Sequence, residues 1–197
     1  MDTSWIPVAK DIATSMAAIG GIAIAGLGLK TWSRQLRGHT EYELARRLLR
    51  AAYGVRDEIP RVRAPFMSVA EMNAAVEAAG AELEDPTDPM RYAYGVHARL
   101  RELQKAVTNL DVEVLEAEVL WGEGIRAACG ELRRLCLHLS IDAEEHVRER
   151  LRPRDDGTDD YVTRMQRVFA TSEDPFGASV KAAVQAIEDQ VRPKLKI

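Results

Sequence analysis

The sequence predicts an all-α protein, with one N-terminal transmembrane helix followed by a cytoplasmic helical bundle. Three observations carry that prediction. Residues 12–29, IATSMAAIGGIAIAGLGL, contain no charged side chain. From residue 40 onward, apolar residues recur at three- and four-residue spacing behind helix-capping residues. Nowhere is there a βαβ alternation, or a turn dipeptide flanked by alternating apolar positions.

The first element is the apolar segment. At a helical rise of about 1.5 Å per residue it spans roughly 27 Å, against a hydrocarbon core of about 30 Å. Pro7, tolerated in a first turn, lets the helix begin near Val8. Trp5 and Trp32 then fall at opposite interfaces, and Lys30, Arg34 and Arg37 anchor the inner one. The tail, residues 1–11, carries Lys10 against Asp2 and Asp11, whereas residues 30–63 carry nine Lys or Arg against four acids. On a bacterial-type insertion route this asymmetry places the tail outside and the rest in the cytoplasm, as a single pass through the inner (plasma) membrane.

Two other readings compete for the same segment. Ala23-Ile24-Ala25 resembles a signal-peptidase site, although the leading charge cluster is missing and basic residues follow directly. A buried core helix is the second rival, because only seven residues of the span are large and apolar, together worth about −2 to −4 kcal/mol of insertion. The small residues are informative in turn. Ala13, Ala17, Gly21 and Ala25 recur every four positions and form a smooth face for close helix–helix packing, which points to self-association in the bilayer.

Composition fits one anchor on a folded body. The hydrophobic share is 46% and the charged share 29%, with a mean hydropathy of −0.24, which does not suit several crossings. Charge is unevenly placed: residues 30–63 form a basic juxtamembrane segment, and residues 64–197 form an acidic helical body with seventeen basic and twenty-five acidic side chains.

The helices follow in order. Thr40 and Glu43 make a capping box ahead of Leu44, Leu48, Ala52, Val55 and Ile59, which predicts an amphipathic helix over about 41–58 packed on the body, with Arg46, Arg47 and Arg50 on its charged face. Ser68 and Glu71 start an Ala-rich helix to about Leu83. Asp88 and Pro89 start the next, with Met90, Ala93, Val96, Leu100, Leu103 and Val107 on one face and an end near Thr108. From Asp111 to Leu151 the pattern stays helical. The apolar set Val112, Leu115 and Val119 is out of phase with Ile125, Cys129, Leu132, Cys136, Leu139, Ala143 and Val147, so a break is expected at Gly122–Gly124. Residues 154–160 read as a loop, and 161–170 as either a short helix or an extended piece. Asp174-Pro175 opens a last helix carrying Phe176, Val180, Val184, Ile187 and Val191, ended by Pro193.

Chemistry-bearing patterns are sparse. Cys129 and Cys136, seven residues apart on one helix, lie about 10 Å apart along its axis and read as buried reduced thiols. His138, Asp142 and His146 sit four apart, yet His138 projects away from the apolar face, and no Glu-x-x-His pair supports a di-iron site. His97 reads as a boundary histidine. No phosphate loop or G-x-S-x-G nucleophile motif occurs, and the arginines are interspersed with acids, so no metal, cofactor, small-molecule substrate or nucleic acid is expected.

Residues 30–66, KTWSRQLRGHTEYELARRLLRAAYGVRDEIPRVRAPF, resemble a group of uncharacterised bacterial proteins with an N-terminal membrane helix and a helical cytoplasmic region. The resemblance covers about a fifth of the chain and implies a membrane setting but no activity. The function expected is that of a membrane-anchored interaction or scaffold protein without catalysis. An oligomerising membrane effector that alters permeability is the alternative, and an enzyme with dispersed active-site residues is a third.

Overall fold

The computed structural model describes residues 32, 38–81, 88–151, 159–169 and 174–195. Every regular element among them is helical, so the fold is all-α. No helix among the described residues is long and apolar enough to cross a membrane; the segment 12–29 lies outside them. The chain divides into two compact units, Met1–Glu43 with Ile197, and Leu44–Lys196. Helix α1 covers residues 38–62. It is followed by α2 (Val69–Ala78), α3 (Asp88–Trp121), α4 (Glu123–Leu151), α5 (Asp159–Val168) and α6 (Pro175–Val191), with a final 3-10 turn over Arg192–Leu195.

In the second unit four long helices run up-down-up-down. Arg47 on α1 meets Glu113 and Glu116 near the end of α3, whereas Arg99 near the start of α3 reaches back to the carbonyl of Ala64. Those two helices are therefore antiparallel. Gly122 turns α3 into α4, and Tyr53 Oη donates to Glu188 Oε1 at 2.9 Å, which sets α6 beside α1. The core joins Leu44, Leu48, Val55 and Ile59 to Leu103, Leu110, Leu132, Leu139, Ile187 and Val191, all at most 2% exposed. Apolar stripes at helical spacing make this core by facing one another. It takes in residues 44–62, which composition alone sets apart as juxtamembrane.

The helix boundaries show where local rules win and lose. Ser68 Oγ accepts from the Glu71 amide at 3.1 Å, as the capping box predicts. Helix α2 nonetheless stops at Ala78 rather than near Leu83, because Gly80 adopts φ +63° and the Ala81 amide closes on the Val76 carbonyl at 3.3 Å. The predicted break is at Gly122, with φ +82° and its amide on the Glu118 carbonyl at 2.8 Å. Asp174 caps α6 through Gly177 at 3.0 Å. The undecided stretch 161–170 falls largely within α5, which already begins at Asp159 inside the expected loop, and the chain continues past Pro193 as the 3-10 turn.

In α3 both the expected end near Thr108 and the expected apolar face beyond it are corrected. Helix α3 runs unbroken for 34 residues, and Val112, Leu115 and Val119 are not its core face: they are 59%, 63% and 84% exposed. Continuing the face from Leu103 in steps of four and three residues gives Val107, Leu110, Val114, Ala117 and Trp121. That line packs inward, with Leu110 and Ala117 fully buried.

Candidate interaction surface

Helix positions advance about 100° per residue, so Val112 stands directly opposite the inward line of Leu103, Leu110, Val114 and Ala117. Leu115 and Val119 lie within about 60° of it, and together the three make an apolar stripe on the outside of the bundle. Leu120, 48% exposed, extends it toward the α3–α4 turn. Along the same face the middle of α3 presents Arg101, Lys105 and Thr108, and a later turn presents Glu116, all exposed. Lys105 pairs with Glu102 at 2.8 Å, and Glu116 with Arg47. Both are surface pairs screened by solvent and salt, and so free to rearrange.

Open grooves flank this face. One of about 400 Å³ lies between α1 and α3, lined by Arg47, Arg50, Gly54, Asn109, Val112 and Glu113. Another of about 430 Å³ separates α3 from α4, lined by Gln104, Asp111, Gly130, Arg133, Cys136 and Leu137. A third, of about 540 Å³, sits among the ends of α1, α2 and α3 and includes Glu71 and Arg99. There Arg99 donates to both Glu71 oxygens at 2.7 and 3.0 Å and to the Ala64 and Phe66 carbonyls. This pairing, aided by the Ser68 amide, holds the Glu71 carboxyl below the usual carboxylate range.

At this same end of the bundle, further polar side chains bind the short helix α5. Arg63, only 4% exposed, donates from Nη1 and Nη2 to Asp174 at 2.7 and 2.8 Å. It also donates to the carbonyls of Gln166, Arg167 and Phe169, capping the C-terminus of α5, while its guanidinium lies 4.8 Å from the Phe176 ring. Arg63 therefore holds the Asp174 carboxyl well below its ordinary value, with the Gly177 amide adding to the effect.

The series His138, Asp142 and His146, at which no metal site is expected, has its three side chains in different surroundings. His138 is exposed, Asp142 is buried and bound by Arg167 at 2.5 Å, and His146 sits edge-on between Tyr92 and Phe169 at 6.0 and 5.3 Å. Burial lowers the His146 pKa; Arg150 and Arg164 add to that and Glu149 opposes it. No cluster of three metal-ligating side chains occurs among the described residues. His97, expected at the edge of the apolar face, is exposed. Cys129 and Cys136 are buried free thiols, both pushed up to about 12 by burial.

Among the membrane-related positions, Trp32 is helical and 68% exposed. Trp5, Lys30, Arg34, Arg37 and the small-residue face of Ala13, Ala17, Gly21 and Ala25 lie outside the described residues. The Arg63–Asp174, Arg99–Glu71 and Arg167–Asp142 pairs carried no sequence signal, since their partners are 111, 28 and 25 residues apart. The Val112 stripe did carry one, as a phase conflict with the helix on either side. Comparison with models of protein families, with curated proteins and with solved structures finds no match to this chain.

Proposed function

We propose that the chain is a membrane-anchored helical interaction protein, held at a bilayer by residues 12–29 and presenting the outer face of α3 to another polypeptide, without chemistry of its own. The observation that carries this reading is the stripe of Val112, Leu115 and Val119, three large apolar side chains aimed into solvent from a helix whose opposite side is fully packed. Clustered exposed apolar side chains rimmed by charge mark contact surfaces more often than chance. The anchor is supported by the uncharged span and by the nine basic residues that follow it.

Two measurements test it. Full-length chain should remain with carbonate-washed vesicles, while a fragment of residues 38–197 should be released. Extracted in mild detergent, the full-length chain should co-purify with a stoichiometric second chain, and Val119→Asp should remove that chain without altering the melting temperature. Release of the full-length protein by carbonate would remove the anchor, and a chain that runs as a monomer, with neither another protein nor a second copy bound, would remove the interaction role. The alternative, an oligomerising effector, is favoured by the four-residue recurrence of Ala13, Ala17, Gly21 and Ala25. It requires an ion leak from reconstituted vesicles that Gly21→Leu abolishes.

A further inference from the structure

The outer face of α3 is polarised as well as apolar. Read from its N-terminal end it runs Arg101, Lys105, Thr108, Val112, Leu115, Glu116, Val119, with basic groups at one end, an acid toward the other and the apolar residues from the middle onward. All seven are exposed, and all fall within about 60° of one line along the helix. We propose that this face is the docking surface for a second copy of the same chain, with the two α3 helices antiparallel and crossing near Val112.

Charge selects both the occupant and the direction. An antiparallel copy brings Lys105 of one helix within a turn of Glu116 of the other, twice by symmetry, because a two-fold contact uses the same patch on both partners. Parallel pairing would set Arg101 against Arg101, Lys105 against Lys105 and Glu116 against Glu116, which is repulsive at every charged position. With the crossing at Val112, the two Val112 side chains meet on the axis. Thr108 then faces Glu116 of the other copy, and Val119 rests on the aliphatic stem of its Lys105, leaving the ammonium free to reach Glu116. An anionic lipid surface fits less well, because Glu113 and Glu116 border the stripe and Glu118 lies just behind it.

The inference rests on reading this face as a protein-binding surface, but needs no membrane anchor. Disulfide capture in the full-length protein tests it. Cys129 and Cys136 are buried in the same helical interior, so an added surface thiol reports alone. Val112→Cys should give a covalent dimer on mild oxidation. Thr108→Cys chains mixed with Glu116→Cys chains should cross-link to each other, while neither does so alone. Arg101→Glu with Lys105→Glu should lower the Val112→Cys yield by about tenfold through like-charge contact, and adding Glu116→Lys should restore it.

A Val112→Cys chain that stays monomeric overturns the proposal. So does a Thr108→Cys chain that dimerises by itself, as parallel pairing through the N-terminal span would produce. Capture of a different protein by Val112→Cys in place of a second copy overturns self-pairing, yet leaves the interaction reading of the face intact. Unchanged yield in the charge-reversed chain removes the electrostatic argument for antiparallel pairing and, with it, the choice of occupant.

Discussion

Arg63 donates from all three of its nitrogens, to one carboxylate and three carbonyls in segments over a hundred residues away in sequence. Those carbonyls are the unpaired ends of α5, and Asp174 is itself the cap of α6, so one guanidinium closes two helix termini at once. Truncating it leaves the carboxylate without its counter-ion and three acceptors without donors. Arg63→Ala should therefore destabilise the fold by about 3–5 kcal/mol, read as a lower urea midpoint. Arg63→Lys should recover only a minor part, because an ammonium keeps the charge but cannot supply a planar fork to Asp174 and the carbonyls together. Equal midpoints for the Lys variant and the parent would mean that charge alone does the work. No local pattern announces this residue. In the sequence it is one of three arginines near Pro60 and Pro65, and only the return of α6 against α1 reveals its partner.

At the scale of elements, glycines mark the difference between a required turn and a tolerated gap. Gly122 sits at φ +82° with open space where a Cβ would stand, whereas Gly130 lies inside α4, also with open space around it. Adding a methyl at Gly122 forces an L-residue into left-handed backbone, a cost of about 1–2 kcal/mol. The same methyl at Gly130 only narrows the unfolded ensemble and favours helix, a gain of about 0.5–1 kcal/mol. Gly122→Ala and Gly130→Ala should thus shift the thermal midpoint in opposite directions, and a shared sign would refute the assignment of the turn. The stop at Gly122 was legible in sequence, as were the faces of α1, α4 and α6, because each has one apolar stripe, although the capping box read at Thr40 lies inside α1, which is already helical at residue 38. Helix α3 was misread for a physical reason. It carries two apolar stripes on opposite sides, and the outer one, Val112, Leu115 and Val119, has no small residue in it, whereas the packed one passes through Ala117 between Val114 and Trp121. Side-chain size identifies hydrophobicity but not direction. Only an unbroken helical phase from Leu103 distinguishes the two.

For the whole molecule, the titratable groups shifted by their partners or by burial divide stability into two pH ranges. Glu71 and Asp174 have carboxyls held below their ordinary values by Arg99 and Arg63, so the folded chain binds protons less readily than the unfolded one at these sites. Their contribution is complete above the unfolded value near about 4, and is lost as pH falls through the lower folded values. His146 acts earlier. Its folded pKa is also depressed, chiefly by burial between Tyr92 and Phe169, with Arg150 stacked on Tyr92 at 4.4 Å and Glu149 and Arg164 nearby. For a base this means that the unfolded chain takes up the proton first. Stability should therefore fall as pH drops below the unfolded histidine value of about 6.5, and level off once the folded imidazole also protonates. The melting temperature of the intact protein should accordingly hold steady from pH 8 to 7, decline below about 6.5, and decline again below about 4. His146→Phe keeps the three-ring stack but cannot protonate, so the upper decline should vanish while the lower one stays. If the His146→Phe protein keeps the parent's slope between neutral pH and pH 5, the proton is being taken up elsewhere and the ring stack between α3, α4 and the end of α5 is not the acid-sensitive joint of this fold.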